Sequence, residues 1–404
     1  MANATSNNGR DTLARTPGNN GKRLEKGKPD EIDSLEEAQA SSADENGDNV
    51  VTPTTTEDLT YGTLLIDPSA SIDDYVGTGG NDGIQFQGEY GQFTALLTNP
   101  YSGAEIFVDD MYNLNTSTYE GLAGIDTLFM SDVGDVLLLR NSLGEQTLFN
   151  VEVIIAGDGG DVIVLADPDI ELGDMTIDGG LGDDIIWGNV GNDIISGRAG
   201  NDIIDGGPGN DQLFGNAGNS PTALEDNDHL SGGDGNDTIN GNSGADLLQG
   251  DAGNDTLIFF SDVVYDGSIT VTNEGSPGID GTGQSYDANG SNGSYDVFDG
   301  GDGYDTLQMT NGNDTFFLFN DFDPSHPDAA GDGVRLSNVE QINAGGGNDI
   351  INLTSTEYAY GDIVILGQNG DDVILSSSGN DYLDGGNNND EIYGGTGNDE
   401  IYGG

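Results

Sequence analysis

Gly197-Arg-Ala-Gly-Asn-Asp202-Ile-Ile204-Asp205 is one nine-residue unit of a run between Gly179 and Ile258, whose members open at Gly179, Gly188, Gly197, Gly206, Gly215, Gly232, Gly241 and Gly250. Glycine stands first and fourth in each unit, aspartate recurs sixth and an aliphatic residue eighth. Six residues of loop and three of strand make half a coil, so two units close one turn and loops on one edge recur every second unit. The glycines admit the positive φ that so tight a loop needs and leave room for carbonyls to turn inward. Calcium takes about six to eight hard oxygens at roughly 2.3–2.6 Å, a number that two stacked loops reach with carbonyls and two carboxylates. The sixth-position aspartates are therefore the candidate metal ligands: Asp184, Asp193, Asp202, Asp211, Asp237, Asp246 and Asp255, with Asp372, Asp381, Asp390 and Asp399 in a second array. The eighth residues, Ile186, Ile195, Ile204, Leu213, Leu230, Ile239, Leu248 and Leu257, are expected to point inward as a ladder that forms the whole core.

These residues spell Gly-Gly-x-Gly-x-Asp-x-U-x, and in them the chain resembles the RTX (repeats-in-toxin) family. The resemblance implies a calcium-dependent β-roll and export to the cell exterior by type I secretion, but no single activity. The expected fold is all-β: a right-handed parallel β-roll or β-solenoid with calcium-binding loops, in two tandem units.

Nine basic residues face 73 acidic ones, a net charge of −64. Arg10, Arg15, Lys22, Arg23, Lys26 and Lys28 precede Pro29, so the rest is almost purely anionic. Such a surface repels nucleic-acid phosphates and anionic lipid and attracts divalent cations. Carboxylates about 5 Å apart on adjacent loops repel by about 3 kcal/mol at an effective dielectric near 20, so without calcium the chain is expected to be largely unfolded. Calcium removes the repulsion, and its binding free energy becomes folding free energy. Cysteine is absent, which excludes disulfides and thiolate metal sites. No apolar run is long enough to span a membrane, and residues 1–27 lack the apolar core of a secretory signal.

Residues 1–58 read as a disordered leader or linker, with a short helix conceivable over Glu31–Ala40. Residues 59–178 read as an irregular β-solenoid segment, 179–258 as the first calcium array, 259–366 as a second irregular segment and 367–404 as a second array, which breaks off at Gly403-Gly404 and reads as truncated. The irregular segments are expected to be less regular coils that stack on the arrays. A longer repeat joins the halves: Asn150-Val-Glu-Val-Ile154 recurs as Asn338-Val-Glu-Gln-Ile342, and Gly124-Ile-Asp126-Thr-Leu128 as Gly303-Tyr-Asp305-Thr-Leu307. Ser220–Asn227 reads as an extruded loop, and Asn388 replaces a fourth-position glycine as a residue that tolerates the left-handed region. The isolated sixth-position matches Asp82, Asp126, Asp161, Asp305 and Asp349 lack a partner eighteen residues away and read as weaker candidates.

His229 and His326 do not form a His-Glu-x-x-His zinc motif, and no Gly-x-Ser-x-Gly elbow occurs. Asp321-Phe-Asp-Pro-Ser-His326 only faintly resembles the Asp-Pro-His stretch of RTX-bearing alginate epimerases. The ninth-position aromatics Trp187, Phe214, Tyr393 and Tyr402 are expected to face outward, covering the roll's flank or forming an adhesive face. The favoured function is calcium binding by a non-enzymatic extracellular or cell-surface protein, structural, surface-layer or adhesin-like, whose partners are calcium and surface or matrix glycans or proteins. The competing readings are an extracellular lyase- or epimerase-like enzyme and a fragment of a larger toxin or enzyme. Against an enzyme stands the scarcity of bases beyond residue 58, where only Arg140, Arg198 and Arg335 remain.

Overall fold

In the computed structural model the described residues are 41–43, 49–51, 62–64, 74–76, 82–85, 89–103, 105–114, 118–140, 144, 146–216, 226–261, 263–265, 269–276, 278–318 and 334–404. The helix considered at Glu31–Ala40, most of the leader, and Asp321–His326 lie outside them; within the leader, Ser41–Ala43 pairs antiparallel with Asn49–Val51.

No helix occurs among the described residues; strands of mostly three to six residues build parallel sheets, two of which face each other through the arrays, and a further five-stranded sheet runs from Ser41–Ala43 to Leu148–Phe149. One sheet is continuous through both arrays, fourteen strands from Gly62–Leu64 to Glu400–Tyr402. The other is broken into an eleven-stranded sheet and a four-stranded one running from Thr315–Phe317 to Glu391–Tyr393. Same-sheet neighbours in the arrays stand two repeats apart in parallel register, with Ile186 on Ile204 and Ile195 on Leu213. Alternation along each short strand decides what is buried. The eighth residue points between the sheets, where Ile186, Ile195, Leu213, Leu230 and Leu257 are wholly buried, while the seventh, such as Ile194 or Gln212, is exposed.

Two expectations are corrected. The array ladder is not the whole core: Leu128, Ile154, Ile163 and Ile177 continue it before the first array, and Leu307, Ile342 and Ile351 carry it to the second. Much of each segment read as irregular therefore consists of coils in register with the roll, their loops merely differing in length from the nonapeptide. The remainder leaves the roll as antiparallel hairpins. Glu89–Thr98 pairs with Glu105–Leu114, and its turn lies on the roll's outer face, where Asn99 Nδ2 and Ser102 Oγ donate to Asp205 Oδ2 at 2.9 and 2.8 Å. Residues 263–293 form three short antiparallel pairs. Tyr265, Val271 and Ala288 of that excursion make a separate apolar cluster with Ile350 and Leu375 of the four-stranded sheet.

The outward aromatics differ in their surroundings. Trp187, flanked by Val164 and Asp205 on the outer face, is 1% exposed, and Tyr393 packs on the second cluster and donates to Gln284 Oε1. Tyr402 remains open. The insertion before Asp228 leaves the register intact, with His229 opposite Ile203. Asn388 takes φ +88°, the left-handed conformation of the glycine it replaces.

Truncating an inward residue leaves a cavity between two sheets that cannot collapse on it. Leu213→Ala is expected to lower stability by about 2–5 kcal/mol, against about 0.5 kcal/mol or less for Gln212→Ala next to it. Urea unfolding of both variants in calcium checks the contrast.

Candidate metal centres

The loops that join the sheets carry the sixth-position aspartates, and each loop binds the next through them. The Asp184 N–H donates to Asp202 Oδ1 at 2.9 Å, Asp202 N–H to Asp228 Oδ1 at 2.8 Å and Asp228 N–H to Asp246 Oδ1 at 2.8 Å. On the opposite edge, Asp193 N–H donates to Asp211 Oδ1, Asp211 to Asp237 and Asp237 to Asp255, at 2.7–2.8 Å. In the second array, Asp372 N–H reaches Asp390 Oδ1 at 3.0 Å and Asp381 N–H reaches Asp399 Oδ1 at 3.2 Å. The fifth position makes an exposed ladder in the reverse sense: Asn201 N–H donates to Asp183 Oδ1 and Asn210 N–H to Asn192 Oδ1, at 2.8 and 2.9 Å.

One carboxylate oxygen is thus used in holding the coil. The other, Oδ2, is buried without a hydrogen-bond partner at Asp184, Asp202, Asp211, Asp237, Asp255, Asp372 and Asp390. A buried carboxylate oxygen left without a donor carries its full desolvation cost, and a cation is what compensates it. First-position glycine is what keeps the space open. A Cβ on Gly206 would lie 2.5 Å from Asp211 Oδ2 and 2.7 Å from the Gly232 carbonyl, and one on Gly367 would lie 2.6 Å from both Asp372 Oδ2 and the Gly385 carbonyl. Fourth-position glycine answers to the backbone instead: Gly200 has φ +134° and presses on the Gly182 carbonyl.

Each cradle is lined by carboxylate and main-chain oxygen, the hard donors that calcium prefers, whereas zinc calls for imidazole or thiolate. Among the described residues no three acidic or histidine side chains converge on one point. That is consistent with a site in which carbonyls supply much of the donor set. His229 contacts Gln249 Oε1 at the surface and takes no part.

The candidate residues are not equivalent. Asp246 adjoins Gly241 in the same way as the others, and Asp399 adjoins Gly394 in the last coil. Asp193 departs from the pattern, since its Oδ2 accepts from the Asn189 N–H at 3.1 Å. Asp381 departs further: Ser376 occupies the first position and its hydroxyl donates to Asp381 Oδ2 at 2.6 Å, so this oxygen is not left without a partner. The isolated aspartates were expected to lack partners, yet loops of other lengths supply them. Asp161 N–H donates to Asp184 Oδ1, Asp255 to Asp305 and Asp349 to Asp372, at 2.7–2.9 Å. The side chain of Asp82 lies outside the described residues. Asp228 was missed because the inserted loop separates it from Gly215; the aliphatic residue two places on, Leu230, is the signal that places it.

Burial raises these acids well above the usual carboxylate range: Asp184 and Asp211 to about 8, Asp202 and Asp255 to about 7, Asp237 and Asp372 to about 6, with neighbouring aspartates adding to the effect.

Comparison with known families places a model described as the RTX calcium-binding nonapeptide repeat on this chain in four copies, at residues 176–204, 187–220, 222–257 and 366–401. A search of curated proteins finds no match. The chain carries RTX repeats and binds calcium through them.

The raised pKa values fix the sign of a pH effect. An acid whose folded pKa exceeds its unfolded value stabilises the fold at low pH, and that contribution is lost as pH rises through the folded value. Without calcium the roll is expected to lose stability progressively from about pH 4, where the unfolded carboxyls titrate, to about pH 8, the highest of the folded values, and calcium at pH 8.5 to restore it. Thermal melts at pH 5 and 8.5, each with chelator and with calcium, check this; a calcium-free roll that melts higher at pH 8.5 would contradict it.

Proposed function

Starting from a chain that carries calcium-binding RTX repeats, we propose that it is an extracellular or cell-surface structural protein, surface-layer or adhesin-like, exported by type I secretion and folded by calcium after export. The observation that carries this reading is the row of buried carboxylate oxygens without partners along both edges of one acidic roll. Inside a cell, where free calcium is scarce, the aspartates repel and the chain stays extended enough to thread a secretion channel. Outside, calcium at about millimolar levels suits loop sites of this kind. The distribution of charge supports a passive, cation-binding role. Several ions are expected, one for each cradle that pairs a first-position glycine with a free Oδ2.

A non-enzymatic role is favoured by the state of the cations. Arg140 pairs with Asp167, Arg198 with Asp178 at 2.5 Å, and Arg335 donates to the Asp296 and Ser294 carbonyls while lying over the Phe316 ring. A lyase or epimerase acting on an acidic polymer needs cationic groups facing its groove, and these three are spent on the fold. The outer faces that remain open offer carboxylates and hydroxyls, which suit calcium-bridged contact with acidic or hydroxyl-rich surface glycans.

Limited proteolysis with an acidic-residue-specific protease tests the switch between compartments. Cleavage is expected to be extensive at about 1 μM free calcium and to fall at least tenfold at about 1 mM, with magnesium unable to substitute. Equal resistance at both calcium levels would remove the basis for folding after export.

A further inference from the structure

Asn150-Val-Glu152 and Asn338-Val-Glu340 stand at loop positions where the arrays carry Gly-Gly-x-Gly-x-Asp, three residues in place of six. The register shows the substitution. Ile342 lies on Leu307 as Ile204 lies on Ile186, so Glu340, two places before it, holds the place of a sixth-position aspartate. Its longer side chain spans the shortened loop, and Oε2 accepts from the Asp305 N–H at 2.8 Å. Glu152 Oε2 accepts from the Asp126 N–H at the same distance. Asn338 and Asn150 turn the corner at φ +50° and +49°. At this point Asn338 stands where the next first-position glycine would be, since the Gly300 N–H donates to the Ser337 carbonyl as the Gly188 N–H does to that of Asp205.

A cradle results that lies outside every matched repeat. Asp305 is fully buried, its Oδ1 accepts from Asp255 and its Oδ2 has no partner. The place of a Cβ on Gly300 is 2.7 Å from that Oδ2 and in contact with the Asn338 carbonyl, and Gly121 stands likewise against Asp126 and the Asn150 carbonyl. We propose that each Asn-Val-Glu corner closes a further calcium site, formed by Asp305 and the Asn338 carbonyl beside Glu340 in one half and by Asp126 and the Asn150 carbonyl beside Glu152 in the other. The inference rests on the calcium-roll reading and extends it to coils that the nonapeptide pattern does not reach. The corner supplies a shorter loop and so fewer carbonyls than an array cradle, which makes its site the weaker one.

Asparagine is the informative substitution, because its Oδ1 still accepts the Asp255 N–H while the free anionic oxygen is lost. In the full chain, calcium bound at saturation, measured by equilibrium dialysis, is expected to fall by about one ion in Asp305→Asn and about two in Asp126→Asn/Asp305→Asn, with far-ultraviolet circular dichroism in calcium unchanged. Tyr304, beside Asp305 and 47% exposed, gives a reading that does not depend on altering the ladder. Tyrosine-sensitised emission from bound terbium is expected to fall in Tyr304→Phe with no change in bound calcium. Undiminished calcium in the double variant, or undiminished terbium emission in Tyr304→Phe, would overturn the corner sites while leaving the arrays intact; a wild-type chain that bound no calcium would overturn the array reading itself.

Discussion

The hydrogen bond from one sixth-position aspartate N–H to the Oδ1 of the aspartate in the next coil is the constraint on which the rest of this structure depends. It fixes the coil spacing at the loops as the backbone ladder fixes it at the strands, and it does so with a charged acceptor. The same bond commits the carboxylate to the interior of the edge, where at Asp184, Asp202, Asp211, Asp237, Asp255, Asp372 and Asp390 the second oxygen meets no donor. Geometry that suits the backbone therefore creates an electrostatic deficit at these turns. A divalent cation removes it, and first-position glycine reserves the space. Where Ser376 stands first, a hydroxyl meets the aspartate instead, a neutral solution to the same deficit.

Around that repeating edge the chain adds what a bare roll lacks. A parallel roll of three-residue strands has a core one side chain wide and two outer faces open to water. The hairpin at Glu89–Leu114 lays Leu97 against Val136 and Val162 and ties Asp205, and the excursion over 263–293 gives the four-stranded sheet an apolar layer outside the roll. The broken sheet is bridged by the unbroken one, so the two arrays share a single run of inward aliphatic residues. Equivalent corners at Asn150 and Asn338, with equal φ and equal glutamate bonds, are what the tandem duplication amounts to in space.

The roll was legible in the sequence because each of its requirements selects a residue type: glycine for space and positive φ, aspartate for the ladder, an aliphatic residue for the interior. Asp202 and Ile204 could be placed from spacing alone. What the period could not carry was pairing through loops of other lengths. Asp305 meets Asp255 across fifty residues and Asp161 meets Asp184 across twenty-three, and no fixed interval announces either. Asp381 could have been separated from Asp372, since Ser376 stands where Gly367 does; what the structure adds is that the serine hydroxyl reaches the carboxylate. The hairpins were misread as coils because they alternate apolar and polar residues much as roll strands do, and only their antiparallel partners distinguish them.

Either cations at the aspartate edges or the thin core must hold the roll together at neutral pH, and the row of carboxylate oxygens without donors favours the cations. Far-ultraviolet circular dichroism of the full chain, titrated with calcium from zero to about 10 mM with magnesium as control, tests it most directly. Calcium is expected to bring a cooperative gain of β-structure and magnesium none of comparable size. A β-spectrum already complete in chelator at neutral pH would contradict it, because the core and the backbone ladders would then suffice without the ions.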